Sequence, residues 1–299
     1  MTGTGTVAQA TAVHRLAPAK INLALHVTGQ RGDGYHLLDT LVAFADFGDR
    51  LDVMLSDAPK ASLSGAFASG LTMDADNLVC RAEALWREAM RRNVGGQGLP
   101  PVHIHLTKNL PIASGIGGGS ADAAAALLAL QEMFGHPLPS DGLHALALAL
   151  GADVPMCLAS SSLRATGIGD VFEPVDLPSL PIVLVNPGVA VSTPTVFSNL
   201  EHKTHTPLSH MPVDSHNDDW LEWMSEQRND LQLPAVRSAP VIAKCLAALE
   251  TARGCLLARM SGSGATCFGV FADDESAQFA ASVLSTSHSG WWVRAGRTI

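Results

Sequence analysis

An α+β fold in two units is predicted for this chain, and three observations carry the prediction. Its 299 residues exceed the roughly 100–200 that one domain usually holds. Its opening third is rich in short β-prone runs, after which strands and helices follow without the strict alternation of a βαβ array. Beyond Pro155 the texture changes to short strands separated by Pro and Gly, which starts a second unit near 160–165.

Element by element, 13–16 and 21–27 read as strands cut apart by Pro18. The Gly-rich polar stretch 28–34 reads as a loop. Strands follow at 40–44 and 50–55. A helix is expected over 77–92, where Leu78, Ala82, Leu85, Trp86 and Ala89 recur at helical spacing behind Asp76 as N-cap. The stretch 95–101 ends it. A strand at 102–107, a turn over the glycine run 115–119, an Ala/Leu helix at 120–134 and a second apolar helix at 140–150 complete the first unit. In the second, strands are expected at 181–185, 256–259, 266–271 and 291–294, with helices at 219–225, 241–252 and 275–284. The His-, Ser- and Pro-rich segment 201–219 reads as a surface loop, and its His202, His205, His210 and His216 lack metal-ligand spacing.

Composition narrows the function classes. With 47% hydrophobic and 16% charged residues the chain is ordinary globular material. A formal charge of −9 repels polyanions, so long nucleic acids and anionic membranes are poor partners. A local nest of backbone N–H groups can still bind a small phosphate. Cys80, Cys157, Cys245, Cys255 and Cys267 form an odd set without a C-x-x-C pair, which fits a reducing cytoplasm. The first 17 residues lack the basic and apolar parts of a secretory signal, and 1–12 reads as a disordered tail. The most apolar stretches, 121–134 and 143–159, are too short or too interrupted to span a membrane.

Four segments carry chemistry. In Leu110-Pro111-Ile112-Ala113-Ser114-Gly115-Ile116-Gly117-Gly118-Gly119-Ser120-Ala121-Asp122, four glycines in five positions run into a strong helix. Glycine lets the backbone approach a ligand, and a helix start adds free donors and a positive dipole end, which suits phosphate oxygens. The alternative is a tight strand-to-helix turn whose glycines serve packing. No Lys follows for a P-loop, and Ser120 breaks G-x-G-x-x-G. In Pro18-Ala19-Lys20-Ile21-Asn22, Lys20 and Asn22 project from one face of a strand, which is either solvated or a site. Asp153, in Gly151-Ala152-Asp153-Val154-Pro155, is a carboxylate in an apolar frame, either in a helix-ending turn or paired with a cation such as Lys20. Met260-Ser261-Gly262-Ser263-Gly264-Ala265-Thr266 is a small-residue turn between strands.

Taken in chain order, the segments resemble the GHMP small-molecule kinases, collinearly over about residues 15–270. The segment Thr28-Gly29-Gln30-Arg31-Gly32-Asp33-Gly34-Tyr35-His36, together with 150–155, resembles the branch that acts on a cytidyl-diphospho substrate. The resemblance implies a ribosomal-protein-S5-like N-terminal ATP-binding domain over 1–163 and a ferredoxin-like C-terminal domain over 164–299. It implies ATP-dependent phosphorylation, with Mg2+, of a tertiary hydroxyl on a methylerythritol moiety, giving the 2-phosphate and ADP in non-mevalonate isoprenoid precursor synthesis. By position, Lys20 and Asp153 match the catalytic pair. Pro111, Ile112, Ala113, Ser114, Gly115, Ile116, Gly117, Gly118, Gly119, Ser120 and Ala121 match the ATP loop. Asn22, Tyr35, His36, Asp153, Thr193 and Phe197 match substrate-binding positions, with Tyr35 and Phe197 flanking the base and His36 reading its edge. Ala121, Val42 and Asp170 depart from the family's usual Ser, aromatic and Glu. The competing readings are another GHMP activity, such as a sugar or homoserine kinase, and a non-catalytic nucleotide- or RNA-binding module. Tyr35-His36 argues against the first, and the acidic balance with Lys20 and Asp153 against the second.

Overall fold

The computed structural model describes residues 12–94, 98–212 and 216–299. The tail expected over 1–12, apart from Ala12, lies outside them, as do Gly95, Gly96 and Gln97 of the expected helix stop. The described residues resolve into two compact units that interleave in sequence: 12–17, 48–94, 98–110 and 119–158 form one, and 18–47, 111–118, 159–212 and 216–299 the other.

Strands β1 (Ala12–Gln30) and β2 (His36–Leu55) contribute to both. Each merges two expected strands. Pro18 does not cut β1: β2 is the named strand that β1 pairs with, and a strand paired along one edge needs an N–H only at alternate residues.

In the first unit β4 (Val102–Thr107) lies between β3 (Lys60–Ser64), which runs parallel to it, and the end of β2, which runs antiparallel with Arg50 opposite Thr107. The alternation Val102, Ile104, Leu106 against His103, His105, Thr107 gives the sheet one buried face. Helix α1 (Leu78–Val94) starts one residue later than expected, and its cap is Asn77, not Asp76: Asn77 Oδ1 accepts from the Val79 amide at 2.9 Å. Helix α2 (Gly118–Phe134) begins inside the glycine run, so Ser120 lies in its first turn and does not cap it. Alanines at 121, 123–126 and 129 are buried. Small side chains let this helix be enclosed on nearly every side, and Phe134 stacks on Trp86 with centroids 5.3 Å apart. Then come α3 (Ser140–Leu150) and the short α4 (Val154–Ala159).

In the second unit the start of β2 pairs with β5 (Leu163–Gly167), and β5 with β6 (Val171–Pro174). Buried Asp39 ties this ladder down, accepting two bonds from Arg164 at 2.8 and 2.7 Å and one from the Leu208 amide at 2.9 Å. The rest is an antiparallel sheet of order β10-β7-β9-β8, built from β7 (Pro181–Asn186), β8 (Cys255–Met260), β9 (Cys267–Phe271) and β10 (Trp292–Arg297). With α8 (Val241–Glu250) and α9 (Asp274–Ser287) between strands this is the split βαβ arrangement of a ferredoxin-like fold. Val183, Val185, Ile242, Leu249, Cys267, Phe271 and Ala277 form its core with Leu25 and Val27 of β1. Three further helices, α5 (Thr193–Ser198), α6 (Asn217–Glu226) and α7 (Gln232–Ser238), enter after β7. Short α5 and α7 were not expected, because six or seven residues give too little periodicity to read. The expected surface loop 201–219 is described at 201–212 and 216–219. It is pinned by the His205 amide on Val27 O and by buried Leu208, and His216 caps α6. All five cysteines are free. No helix among the described residues is long and apolar enough to cross a membrane.

Candidate active site

The second unit brings together β1, the glycine loop at 111–118 and the turn at 261–266. The β8–β9 ladder closes with Met260 opposite Cys267, so the expected hairpin turn is present, and it reaches the other two segments. Ser261, fully buried, knits them: its hydroxyl accepts from the Asn22 amide at 3.1 Å and donates to Gly115 O at 3.2 Å. The Lys20 amide donates to Ile116 O at 2.9 Å, and the Thr266 amide to Ser114 O at 3.1 Å. Gly115 (φ +77), Gly117 (φ +66) and Gly262 (φ +55) hold left-handed backbone at this junction. A Cβ on Gly262 would stand 2.8 Å from Gly115 O, so two backbones meet where no side chain fits.

Lys20 is 6% exposed and Asn22 3%, so the expected alternative of a solvated strand face does not hold. Asn22 Nδ2 donates to Thr40 Oγ1 at 2.8 Å, and the Thr40 hydroxyl hydrogen goes to Ala24 O at 2.6 Å. That hydroxyl can only accept from Asn22, which fixes the amide's orientation. Asn22 Oδ1 is then a buried acceptor without a partner among the described residues. Leaving it so costs about 1–3 kcal/mol, which a bound donor recovers.

Pro111, Ser114 and Ile116 are buried, Ile112 and Ala113 exposed, and Gly115, Gly117 and Gly118 half-buried. Ser114 donates to Pro111 O at 2.6 Å and tightens the turn. Gly119, Ser120 and Ala121 belong to the first unit, in the first turn of α2, where amides have no intrahelical acceptor. Asp153, also in the first unit, directly precedes α4 and is half-buried.

Tyr35 is 63% exposed, at the tip of a compact turn held by the Arg31 amide on Tyr35 O at 2.8 Å. His36 stacks on Phe197 of α5, with centroids 4.7 Å apart and planes 26° apart. The structure thus brings His36, not Tyr35, against Phe197. Burial, and then the Lys203 charge, hold the His36 imidazole below its ordinary pKa, so it is neutral at pH 7. Its Nε2 is buried without a partner among the described residues. Thr193 opens α5 and shares a 2.7 Å hydrogen bond with Ser263 of the β8–β9 turn.

Sequence reasoning missed the residues that hold this junction in place. Asn229 donates to Met260 O and Gly262 O at 2.7 and 2.8 Å, and Asn186 to Thr266 Oγ1 at 2.9 Å. Buried Arg259 donates to Leu23 O, Met224 O and Gln227 O at 2.6–2.8 Å, with its pKa lowered by burial to about 10. Isolated polar residues whose partners lie up to 236 positions away leave no local signal.

The family model for the GHMP kinases N terminal domain matches residues 77–161, and that for the GHMP kinases C terminal matches 213–289. A 4-diphosphocytidyl-2-C-methyl-D-erythritol kinase of Rhizobium meliloti (strain 1021) is 51% identical over 288 residues, 94% of each chain. One of Cereibacter sphaeroides (strain ATCC 17025 / ATH 2.4.3) is 49% identical over 284 residues, 94% of this chain and 97% of that one. Among solved structures, a 4-(cytidine 5'-diphospho)-2C-methyl-D-erythritol kinase superposes with TM-score 0.79 at 34% identity, covering 96% of this chain and 99% of that one. A homoserine kinase from Cytophaga hutchinsonii shares the fold at TM-score 0.69 and 18% identity, covering 99% of this chain and 97% of that one.

Proposed function

The chain belongs to the GHMP kinases, and on that premise we propose that it transfers the terminal phosphoryl group of ATP to the 2-hydroxyl of 4-diphosphocytidyl-2-C-methyl-D-erythritol, in non-mevalonate isoprenoid precursor synthesis. The observation that carries this reading is the near-full-length match to relatives bearing that kinase's name. We read 1–163 as the ATP-binding domain and 164–299 as the C-terminal domain, supported by one family-model match on each side of that division.

In the proposed reaction the hydroxyl oxygen bonds to the terminal phosphorus, the bond from that phosphorus to the ADP oxygen breaks, and Asp153 takes the hydroxyl proton. Lys20 offsets charge on the group in transit. Phosphoryl transfer depends chiefly on positioning and charge stabilisation, which gives the support of Lys20 a purpose. Its amide is fixed on Ile116 O, and its aliphatic stem packs beside Gly117. The loop from Pro111 to Ala121 receives the phosphates on glycine backbone and on the free amides that open α2. Mg2+ would neutralise phosphate charge. An ion of this kind is held mainly by nucleotide oxygens and water. Ser120 is the hydroxyl that remains for it where Ala121 offers none.

For the substrate, Asn22 Oδ1 supplies an acceptor, and His36 Nε2, beside Phe197, meets the cytosine edge. Thr193 lies at the same edge of the unit through its bond to Ser263. Tyr35 closes over the base from its exposed loop. Tyr35→Ala is then expected to cost about 1–3 kcal/mol of binding, roughly 5- to 150-fold in KM for the cytidyl substrate at nearly unchanged kcat, and Tyr35→Phe much less. Steady-state kinetics on both variants check this, and an unchanged KM in the Ala variant removes Tyr35 from the pocket.

A cytoplasmic location belongs to the proposal, supported by the free cysteines, and the net charge supports small-molecule rather than nucleic-acid partners. The decisive assay couples ADP release to ATP, magnesium and either the cytidyl substrate, homoserine or mevalonate. Turnover of the cytidyl substrate alone is expected, and turnover of another alcohol without it overturns the assignment.

A further inference from the structure

The residues on both sides of the glycine loop converge on one buried ionic cluster in the first unit. Lys108 Nζ donates to Asp49 and, at 2.7 Å, to Asp122 Oδ2. Asp49 Oδ1 accepts the amides of Asn109 at 2.5 Å and Leu110 at 2.9 Å, and Asn109 Nδ2 donates to Gly48 O at 3.1 Å. Lys108, Asp49 and Asp122 are 4%, 0% and 3% exposed. Lys108, Asn109 and Leu110 are the last three residues before the segment 111–118, and Asp122 lies in α2 just after it. One carboxylate on β2 thus holds the entrance of the loop, and one lysine links that entrance to the exit.

Burial of such a group needs a reason. Replacing a buried ion pair by apolar side chains of similar volume is often neutral or stabilising, whereas removing one partner is costly. Stability alone does not account for three buried charges at this place. Glycine has wider backbone freedom than other residues, so a glycine run gains most from having its ends fixed. Burial first, opposed by Lys108 and reinforced by Asp49, pushes the Asp122 pKa up.

We propose that Asp49, Lys108 and Asp122 form a clasp that sets both ends of the phosphate-binding loop, with Asp122 a positioning residue for the nucleotide. The proposal rests on the kinase reading above and goes beyond it in assigning residues that touch neither substrate.

The test compares Asp122→Ala with Asp122→Asn, whose side-chain oxygen still accepts from Lys108. Calorimetry would measure a non-hydrolysable ATP analogue and the cytidyl substrate separately on each. Asp122→Ala is expected to weaken the analogue about tenfold while the cytidyl ligand changes less than about twofold, and Asp122→Asn to restore the analogue to within about threefold. Normal analogue binding by the Ala variant, or equal loss of both ligands, overturns the clasp. If Asp122→Ala does not fold, the triple variant Asp49→Asn, Lys108→Met, Asp122→Leu, which removes every charge together, is measured in its place. The same selective loss is expected, and normal analogue binding again overturns the clasp. A wild-type protein that binds no analogue would instead overturn the kinase reading.

Discussion

Asp153→Asn is expected to fold and bind both substrates while losing about 10²–10⁴-fold in kcat, the usual contribution of a positioned acid or base. The amide keeps the shape of the carboxylate but cannot take the hydroxyl proton. The fold should tolerate the change, since Asp153 directly precedes α4, and Asn is as good as Asp at a helix start. The Cys157 amide donates to Asp153 O, a backbone hydrogen bond that the substitution leaves in place. A melting curve and a rate profile therefore separate the two roles. A kcat near that of wild type removes Asp153 from the reaction, and a melting temperature lower by many degrees makes it a structural residue.

How much of this was legible beforehand depends on the range over which each signal acts. The glycine loop, the hairpin turn and the long helices were readable because their cues are local: glycine density, small residues between β-prone runs, and apolar spacing over four turns. Strand β3, over Lys60–Ser64, was not, since five residues of mixed polarity show no clear alternation, and its partner β4 lies some 43 residues on in the ladder. The burial of Asn22 could not be read either. A strand face bearing Lys and Asn is polar by composition, and only the packing of Ser261 and Thr40 against it shows that water is excluded. Pro18 misled in the opposite direction, because the penalty for a missing N–H depends on which edge of the strand is paired.

Alanine at Gly115 and at Gly117 should separate what the loop's shape contributes to stability from what it contributes to rate. Both glycines lie at positive φ, +77 and +66, where an L side chain costs about 1–2 kcal/mol. Their surroundings differ. A Cβ on Gly115 would stand 2.7 Å from both Gly264 O and Ser261 O, which are backbone atoms of the β8–β9 turn. That turn is itself held by Asn229 and Ser261, so it cannot yield without breaking buried hydrogen bonds. At Gly117 the nearest atoms are Lys20 Cβ at 3.1 Å and Cε at 3.3 Å, contacts that a shift of a few tenths of an ångström would relieve. Gly115→Ala is thus expected to lower unfolding free energy by about 3 kcal/mol or more, the strain plus at least one broken buried bond, and to weaken nucleotide and cytidyl ligands together. Gly117→Ala should lose only about 1–2 kcal/mol of stability yet lower kcat, because the lysine that it displaces is the one assigned to the transferring group. Urea unfolding midpoints and kcat on the two variants decide the matter: equal stability losses would mean that the two-loop junction is not rigid, and an unchanged kcat in Gly117→Ala would mean that the position of Lys20 does not limit the reaction.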